Sequence, residues 1–310
     1  MPRLEGLMGH LCRIVAVVGL IGAAGAGPRL VEAQGQPPPD RPAVTVRGQT
    51  YTPRSILARN MGTEADQTTA FPPHRVIGNI YYVGTRTLSS FLITTPEGHI
   101  LINSTYERNV PTTAKSVERL GFKFADVKIV LGTHAHRDHQ EGDALVRQMT
   151  GARSMVMAED VPAMRAMKVG DREQTVDRAL RDGDTVTLGG TTLTARLTAG
   201  HTRGCTTWTA TVQEGGRSYN VVINCSLRAP GMLTPEVIAE FERTFTLVRS
   251  LRCDVPLGDH PAQYNMHAKH MKLESGGANP FIDAANCHLE TDIQEAMYRA
   301  AIEEQRGGRP

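Results

Sequence analysis

The sequence has little that would let it bind a polyanion. Its 34 Lys and Arg residues are nearly balanced by 32 Asp and Glu residues, which gives a formal net charge of +2, and no long run carries one sign. Only 5% of the residues are aromatic and a single one is tryptophan, so stacking surfaces for single strands are lacking too. We therefore expect no nucleic acid among the partners.

Long apolar runs are also missing, apart from one near the amino terminus. Arg3 and Arg13 precede an apolar, small-residue run at 14–26, and "VEA" follows at 31–33. This pattern is typical of a secretory signal peptide over residues 1–33, cleaved after Ala33. The run is short for a bilayer span, which makes a retained transmembrane anchor the weaker alternative. We expect a periplasmic protein that does not associate with the membrane after cleavage.

The rest of the chain divides into a short tail and one domain. Residues 34–50 are rich in proline and polar side chains, and we predict a flexible segment there because little apolar surface is available to bury. Residues 51–310 have the composition of a globular protein and the length for a large core. No internal repeat interrupts them. We expect a monomeric single domain.

Four cysteines remain after the signal peptide, namely Cys205, Cys225, Cys253 and Cys287. An even number in an oxidising compartment favours disulfides, although spacing alone cannot choose among three pairings. We favour Cys205 with Cys225 and Cys253 with Cys287. Free buried thiols are the alternative for all four, and a zinc-ligand role is a further one for Cys225.

Short strand patterns alternate with helical ones along the domain. "RVIGNIYYVGT" and "SSFLITTPEGHILINST" predict the first strands, with a hairpin at "PEGH". Helical spacing predicts helices over 110–120, after Thr234 as N-cap, and over 284–303. Strands interleaved with helices indicate a layered α/β domain whose sheets are covered by helices on their outer faces.

A cluster of metal-binding side chains follows the buried strand pattern "DVKIVLGT". His134, His136, Asp138 and His139 lie within six consecutive positions. On extended backbone His134 and His136 project the same way, while the next two residues can approach a second point nearby. Zinc takes imidazole nitrogen and carboxylate oxygen, and a hydrolytic centre uses three protein ligands for each ion and leaves a position for water. One segment therefore supplies part of two metal sites.

Two isolated histidines at the ends of later strands can complete these sites. His201 lies in "LTAGHTRG" and His260 in "VPLGDHP". The predicted sets are His134, His136 and His201 on one zinc ion, with Asp138, His139 and His260 on the other. The alternatives are a surface histidine-rich tract that binds metal weakly and, for each lone histidine, a surface or core role. His267 and His270 follow at helical spacing, and we expect them to be packing or surface groups.

The motifs "HAHRDH" at 134–139, "GHT" at 200–202 and "GDHP" at 258–261 resemble the metallo-β-lactamase superfamily over residues 75–290. The resemblance implies a four-layer αβ/βα sandwich with two zinc ions per chain at the edge where the sheets meet. It does not fix the substrate, because lactonases, thioesterases, nucleases and β-lactamases share these motifs.

Differences within the superfamily favour the β-lactamase branch. Lactonase-like members place a metal-bridging Asp between the last two histidine motifs, where this chain has "VVINCSLRAPG" with no Asp. Subclasses B1 and B2 place a cysteine ligand there and lack the histidine after the motif's Asp, whereas His139 is present here. The sequence thus most resembles subclass B3, whose cysteine pairing also matches Cys253 with Cys287. Cys225 lies one residue from the B1-type position, so strand alternation turns its side chain to the opposite face.

The resemblance implies zinc-dependent hydrolysis of the β-lactam ring of antibiotics by a zinc-bound hydroxide, with Asp138 as the catalytic residue that orients it. Ser226 and Arg228 in "SLRAPG" are candidates to bind the substrate carboxylate, although a solvated loop charge is the alternative for Arg228. Glu141 is either a first-turn carboxylate favoured by the helix dipole or a group at the metal site. The competing functions are an exported zinc hydrolase acting on lactones or other esters, and a non-catalytic zinc-binding protein.

Overall fold

The structure, a computed structural model, describes residues 42–307. The predicted signal peptide and its cleavage site lie outside this range. The strands within it are β1 (Val44–Val46), β2 (Gln49–Tyr51), β3 (His74–Ile77), β4 (Ile80–Tyr82), β5 (Phe91–Thr95), β6 (Gly98–Ile102), β7 (Val127–Leu131), β8 (Arg153–Met157), β9 (Lys168–Val169), β10 (Arg172–Glu173), β11 (Arg178–Leu180), β12 (Thr185–Leu188), β13 (Thr191–Leu197), β14 (Thr206–Glu214), β15 (Arg217–Asn224) and β16 (Val255–Gly258).

Helices connect the strands and flank them. The α-helices of the described range are α1 (Pro53–Met61), α2 (Glu64–Thr68), α3 (Val110–Arg119), α4 (Arg137–Gln140), α5 (Asp143–Thr150), α6 (Val161–Ala166), α7 (Pro235–Ser250), α8 (Met266–Glu274) and α9 (Leu289–Gly307). Short 3-10 helices cover Glu107–Asn109, Phe124–Asp126, Ala158–Asp160, Pro261–Tyr264 and Ala284–Asn286.

Two sheets organise the molecule. The first has seven strands in the order β11-β8-β7-β6-β5-β4-β3, and its neighbours from β11 to β6 run parallel. The second has five strands in the order β12-β13-β14-β15-β16, of which only β15 and β16 are parallel. The parallel strands β6, β7 and β8 end at the same edge of the first sheet, which collects the loops that follow them.

The main core lies between the two sheets. Leu193, Ala195 and Trp208 of the second sheet are buried in one cluster with Phe91 and Ile100 of the first. Burying each large apolar side chain contributes about 1.5–3 kcal/mol of hydrophobic free energy. The facing of the sheets is therefore fixed by the alternation of apolar residues along their strands.

Helices cover the outer faces. Val117 of α3 and Val146 of α5 pack on Leu101 and Val130 of the first sheet. Helices α7 and α9 pack together through an aromatic cluster that contains Phe241, Phe245 and Tyr298, and Thr244 of α7 donates to the carbonyl of Ala199 after β13. The observed architecture is the predicted αβ/βα sandwich.

The predicted helices and strands named above are present, with one difference at the amino-terminal end. Of the segment 34–50, for which the sequence predicts flexibility, residues 34–41 lie outside the described range, and β1 and β2 form an antiparallel hairpin that begins at Val44. Its turn is formed by Arg47 and Gly48, both with positive φ, as a two-residue hairpin turn requires. Val44 and Val46 pack near Met297 of α9. This contact spans nearly the whole chain, so local composition could not reveal it.

Within residues 42–307, no helix combines the length and the hydropathy needed to cross a membrane.

Candidate metal centre

The loop after β7 carries four of the six predicted ligands. It begins at Gly132, where an added Cβ would lie 1.9 Å from Cδ of Gln140, so only glycine leaves room for the turn. The carbonyl of Gly132 accepts a hydrogen bond from Nε1 of Trp208 at 3.0 Å, and the amide of Thr206 donates to the carbonyl of Thr133 at 2.7 Å. Both bonds join the loop to the second sheet, so the site lies where the two sheets meet.

The first predicted set is brought together. The ring centroids of His134, His136 and His201 lie 4.7, 4.7 and 4.8 Å apart in pairs. One nitrogen from each ring falls within 4.8 Å of the others. Three imidazoles at this spacing can hold one metal ion.

The second set lies beside the first. Nε2 of His139 is 3.1 Å from Oδ2 of Asp138, and Nε2 of His260 is 3.9 Å from the same oxygen. The rings of His134 and His139 are 4.3 Å apart, so the two groups are neighbours. The two candidate ligand groups therefore adjoin one another.

Backbone carbonyls orient two of the imidazoles. Nδ1 of His201 is 2.8 Å from the carbonyl oxygen of Arg228, and Nδ1 of His260 is 3.0 Å from that of Thr87. A carbonyl only accepts, so Nδ1 of each ring donates, which leaves the lone pair on Nε2 for a metal ion. A hydrogen bond from the ring nitrogen that does not bind the metal is the usual way in which proteins fix the tautomer of a metal-binding histidine.

Burial keeps most of the site neutral. It lowers the pKa of His134, His201 and His260, and neighbouring imidazoles lower that of His134 and His201 further. For His139, burial would lower the pKa, but the charge of Asp138 outweighs it and raises the pKa. For Asp138, burial would raise the pKa, but the surrounding imidazoles lower it well below its ordinary value. The set therefore offers one carboxylate, imidazoles that burial keeps neutral at His134, His201 and His260, and at His139 an imidazole whose proton the charge of Asp138 stabilises.

These donors fit zinc. Nε2 of His139 is buried and makes no hydrogen bond, despite its approach to Asp138, as expected for two ligands that converge on a cation. Imidazole nitrogen and carboxylate oxygen are both good zinc ligands, whereas an oxygen-preferring cation such as Mg²⁺ would find too few carboxylates.

Known proteins resemble this chain in sequence and in fold. A family model described as the metallo-beta-lactamase superfamily matches residues 83–212. The solved FEZ-1 metallo-beta-lactamase from Legionella gormanii is 40% identical with a TM-score of 0.75, and the alignment covers 78% of this chain and 99% of that one. BJP-1, a subclass B3 metallo-beta-lactamase of Bradyrhizobium japonicum, is 33% identical with a TM-score of 0.73, over 78% and 97% of the two chains.

The chain belongs to the metallo-β-lactamase superfamily. The likeness to a subclass B3 member agrees with the subclass that the motifs predicted. A shorter match joins it to the hydroxyacylglutathione hydrolase of Methylobacterium sp. (strain 4-46), which is 34% identical over 93 residues. That match covers 30% of this chain, and the chain spans about a third of the length of that curated relative.

Both favoured disulfides are present in this superfamily member. Cys205 joins Cys225 with a Cα separation of 5.8 Å, and Cys253 joins Cys287 with a Cα separation of 6.0 Å. A sulfur in a disulfide has no thiolate to offer a metal ion, which argues against Cys225 as a zinc ligand.

Ser226 and Arg228 lie on the loop beside His201. Ser226 is buried, and Arg228 is half-buried with its side chain lining a cavity of about 450 Å³ between Ile56 of α1 and Met297 of α9. Burial lowers the pKa of His201 most, the neighbouring His136 lowers it further, and the charge of Arg228 contributes in the same direction. The backbone of Arg228 thus contacts His201, while the residue lines a cavity to which none of the six candidate ligands contributes.

Gln140 and Glu141, which directly follow the motif at 134–139, have structural partners. Nε2 of Gln140 donates to Asp143 at 3.2 Å. Glu141 forms a 2.7 Å ion pair with Arg137 one turn earlier, and it accepts a hydrogen bond from the amide of Glu107. Glu141 belongs to neither group of converging ligands.

Sequence reasoning missed the residues that hold the loops in place. Oδ2 of Asp160 accepts hydrogen bonds from the amide of Ala135 and the hydroxyl of Thr202, both at 2.9 Å, and its Oδ1 accepts from the amide of Gly204 at 2.8 Å. This one carboxylate ties the loop of His134 and His136 to the loop of His201. Nothing in "AEDVP" signals the role.

The loop after β6 is a second missed support. Asn103 and Thr105 have φ of 61° and 60°, a conformation that costs a β-branched residue about 1–3 kcal/mol. Hydrogen bonds compensate: the amide of Thr105 donates to the carbonyl of His139 at 2.9 Å, and Oδ1 of Asn103 accepts from the amide of Thr133 at 2.8 Å. The next residue, Tyr106, has its pKa raised to about 12 by burial and by the charge of Asp138. A neutral phenol therefore stands beside the catalytic carboxylate predicted from the sequence.

Proposed function

We propose that the protein is a zinc-dependent β-lactamase of subclass B3, which hydrolyses β-lactam antibiotics with two zinc ions per chain. The observation that carries the proposal is the adjacency of the two ligand groups, three imidazoles beside Asp138, His139 and His260. The likeness to FEZ-1 and BJP-1 over nearly their full length supports the substrate class.

His134, His136 and His201 would hold one ion, and Asp138, His139 and His260 the other. When bound, two zinc ions supply Lewis acidity and lower the pKa of a water molecule toward neutrality. Because Asp138 is ionised, its carboxylate accepts a hydrogen bond from the attacking water and orients it toward the lactam carbonyl. No side chain needs to become covalently attached to the substrate.

The substrate carboxylate would be bound by the loop at Ser226 and Arg228. The hydroxyl of Ser226 can donate one hydrogen bond, and the guanidinium of Arg228 can donate two in parallel. We also propose that residues 1–33 direct export to the periplasm, where the two disulfides form, and that the mature protein acts as a monomer.

One assay series tests the function. The purified mature protein is assayed against a penicillin, a cephalosporin and a carbapenem, with and without a chelator, alongside metal analysis. We expect hydrolysis of at least one β-lactam, two zinc ions per chain, and loss of activity on chelation. Hydrolysis that survives removal of all metal would contradict the mechanism.

A second candidate is hydrolysis of a thioester or lactone, which the short match to hydroxyacylglutathione hydrolase favours. Such an enzyme could share all six ligands. The same zinc-loaded sample is therefore tested on a hydroxyacylglutathione and a lactone. Faster turnover of either than of any β-lactam would select this second function.

A further inference from the structure

Asp259 is a second carboxylate at the metal centre, outside the six-residue ligand set. It lies between Gly258, the last residue of β16, and His260, and its side chain is fully buried. Neither of its carboxylate oxygens makes a hydrogen bond. Burying a carboxylate without a hydrogen-bond donor or a positive charge costs folding free energy, so we expect Asp259 to have such a partner when the site is complete.

His134 is the candidate partner. Oδ2 of Asp259 lies 3.4 Å from Nδ1 of His134. One carboxylate oxygen of Asp259, one ring nitrogen of His134 and one of His139 lie within 4.8 Å of one another. Because these two histidines belong to different ligand groups, Asp259 lies close to both groups. The amide of Ser89 donates to the backbone carbonyl of Asp259 at 3.0 Å and holds the residue in this place.

Two other groups approach the same nitrogen of His134. Oγ1 of Thr133 is 3.3 Å away, and Sγ of Cys225 is 3.5 Å away. Both are neutral, and the sulfur is a weak acceptor. Of the three, Asp259 offers the one charged acceptor, and hydrogen bonds to an ionised acceptor are about twice as strong as neutral ones. All three contacts lie on the Nδ1 side, which leaves Nε2 of His134 as the coordinating atom.

We propose that Asp259 is a positioning residue that accepts the Nδ1–H of His134 while Nε2 of that ring binds the cation, and that its charge strengthens cation binding in both groups. The inference rests on the proposed zinc site. A carboxylate behind a histidine ligand fixes its ring and tautomer and makes it a better donor. It also adds a second negative charge to a site whose ligand set contains only one.

The proposal predicts opposite effects with and without metal. Bound cations would compensate the charge of Asp259, so its removal weakens metal binding. In the metal-free protein the same carboxylate is fully buried without a hydrogen-bond donor, so its removal stabilises the fold. A residue with only a structural role would not give this pair of results.

The test compares the full chain with the Asp259→Asn variant, which keeps the side-chain shape and removes the charge. Zinc affinity is measured by competition with a chromophoric chelator, and the melting temperature is measured after zinc has been stripped. We expect zinc affinity to fall about 10- to 100-fold and the melting temperature of the stripped protein to rise. In the zinc-loaded protein, the ¹H resonance of His134 Nδ1–H should move upfield in the variant.

Asp283→Asn is the control for the same substitution elsewhere, because Asp283 is a partly buried carboxylate that pairs with Lys269 at 3.0 Å and belongs to neither ligand group. This variant should lower stability and leave zinc affinity unchanged. If the wild type binds two zinc ions and Asp259→Asn binds them equally well with the His134 resonance unmoved, the inference fails and the proposed function stands. If the wild type takes up no zinc, both fail.

Discussion

His74 is a buried imidazole outside the metal centre that makes stability depend on pH. Its ring packs against Tyr82, His270 and Phe281, with centroids 5.5, 4.4 and 5.6 Å away. Burial lowers its pKa to about 4, although Nδ1 donates to the carbonyl of Pro72. The unfolded chain binds this proton near pH 6.5 and the folded chain only near pH 4. Stability is therefore lost as the pH falls through this window.

The substitution His74→Phe should remove this loss, because phenylalanine keeps the ring contacts and cannot be protonated. Unfolding by urea is measured on metal-stripped protein at about pH 7.5 and about pH 5, where each unit below 6.5 costs about 1.4 kcal/mol. The wild type should lose about 2 kcal/mol more than the variant over this range. Equal losses would show that the fold does not hold His74 neutral.

The convergence of the six candidate ligands could be predicted because metal binding leaves little choice of residue type, and the spacing of four of them after a strand pattern is visible in one stretch. Predicting His201 and His260 required the further assumption that the ends of several strands meet at one edge of the fold. Asp160 and Asp259 could not be predicted in the same way, because their partners are far away in the sequence and no local pattern distinguishes these two residues from other aspartates. The "GDHP" motif placed Asp259 next to a ligand, but only the fold shows that it faces His134.

Among the elements, the two disulfides are the clearest case of a local constraint near a functional loop. Cys205–Cys225 closes a loop of 20 residues directly behind His134, and Cys253–Cys287 closes one of 34 residues near the start of α9. In the chain-entropy description such loops stabilise by about 3–4 kcal/mol each. Only the first pair lies at the metal centre.

Replacing both members of each pair by serine separates stability from metal binding. Cys205→Ser with Cys225→Ser, and Cys253→Ser with Cys287→Ser, should each lower the free energy of unfolding by about 3 kcal/mol. Both double variants should still bind the wild-type number of zinc ions. Loss of a zinc ion in the first variant alone would support Cys225 as a ligand.

Sequence patterns predicted those helices and strands whose own residues supply both an apolar face and the signals that begin or end the element. Helix α7 has its N-cap at Thr234, whose hydroxyl accepts from the amide of Val237 at 3.3 Å, and it buries one side. The hairpin of β1 and β2 and the short strand β11 were not predicted. Their stability depends on α9 and β8, which are distant in the chain, so no local signal reveals them.

At the scale of the molecule, the candidate metal centre lies where loops from both sheets meet, beside the core that the two sheets share. Ligands come from the edge of the first sheet through β7, from the β13–β14 connection, and from the end of β16. Cations bound at this point would connect both sheets. Because ions that bind only the folded state stabilise it by mass action, zinc binding should be visible in the stability of the whole protein.

Adding zinc to the stripped protein should therefore raise its melting temperature. At a zinc concentration a hundredfold above the dissociation constant, one site contributes about 2.7 kcal/mol, which corresponds to about 5–10 °C for a domain of this size. Magnesium at the same concentration should produce no shift, because imidazole-rich sites are poor ligands for a cation that prefers oxygen. A melting temperature that responds equally to both ions, or to neither, would mean that the six side chains do not form the zinc site.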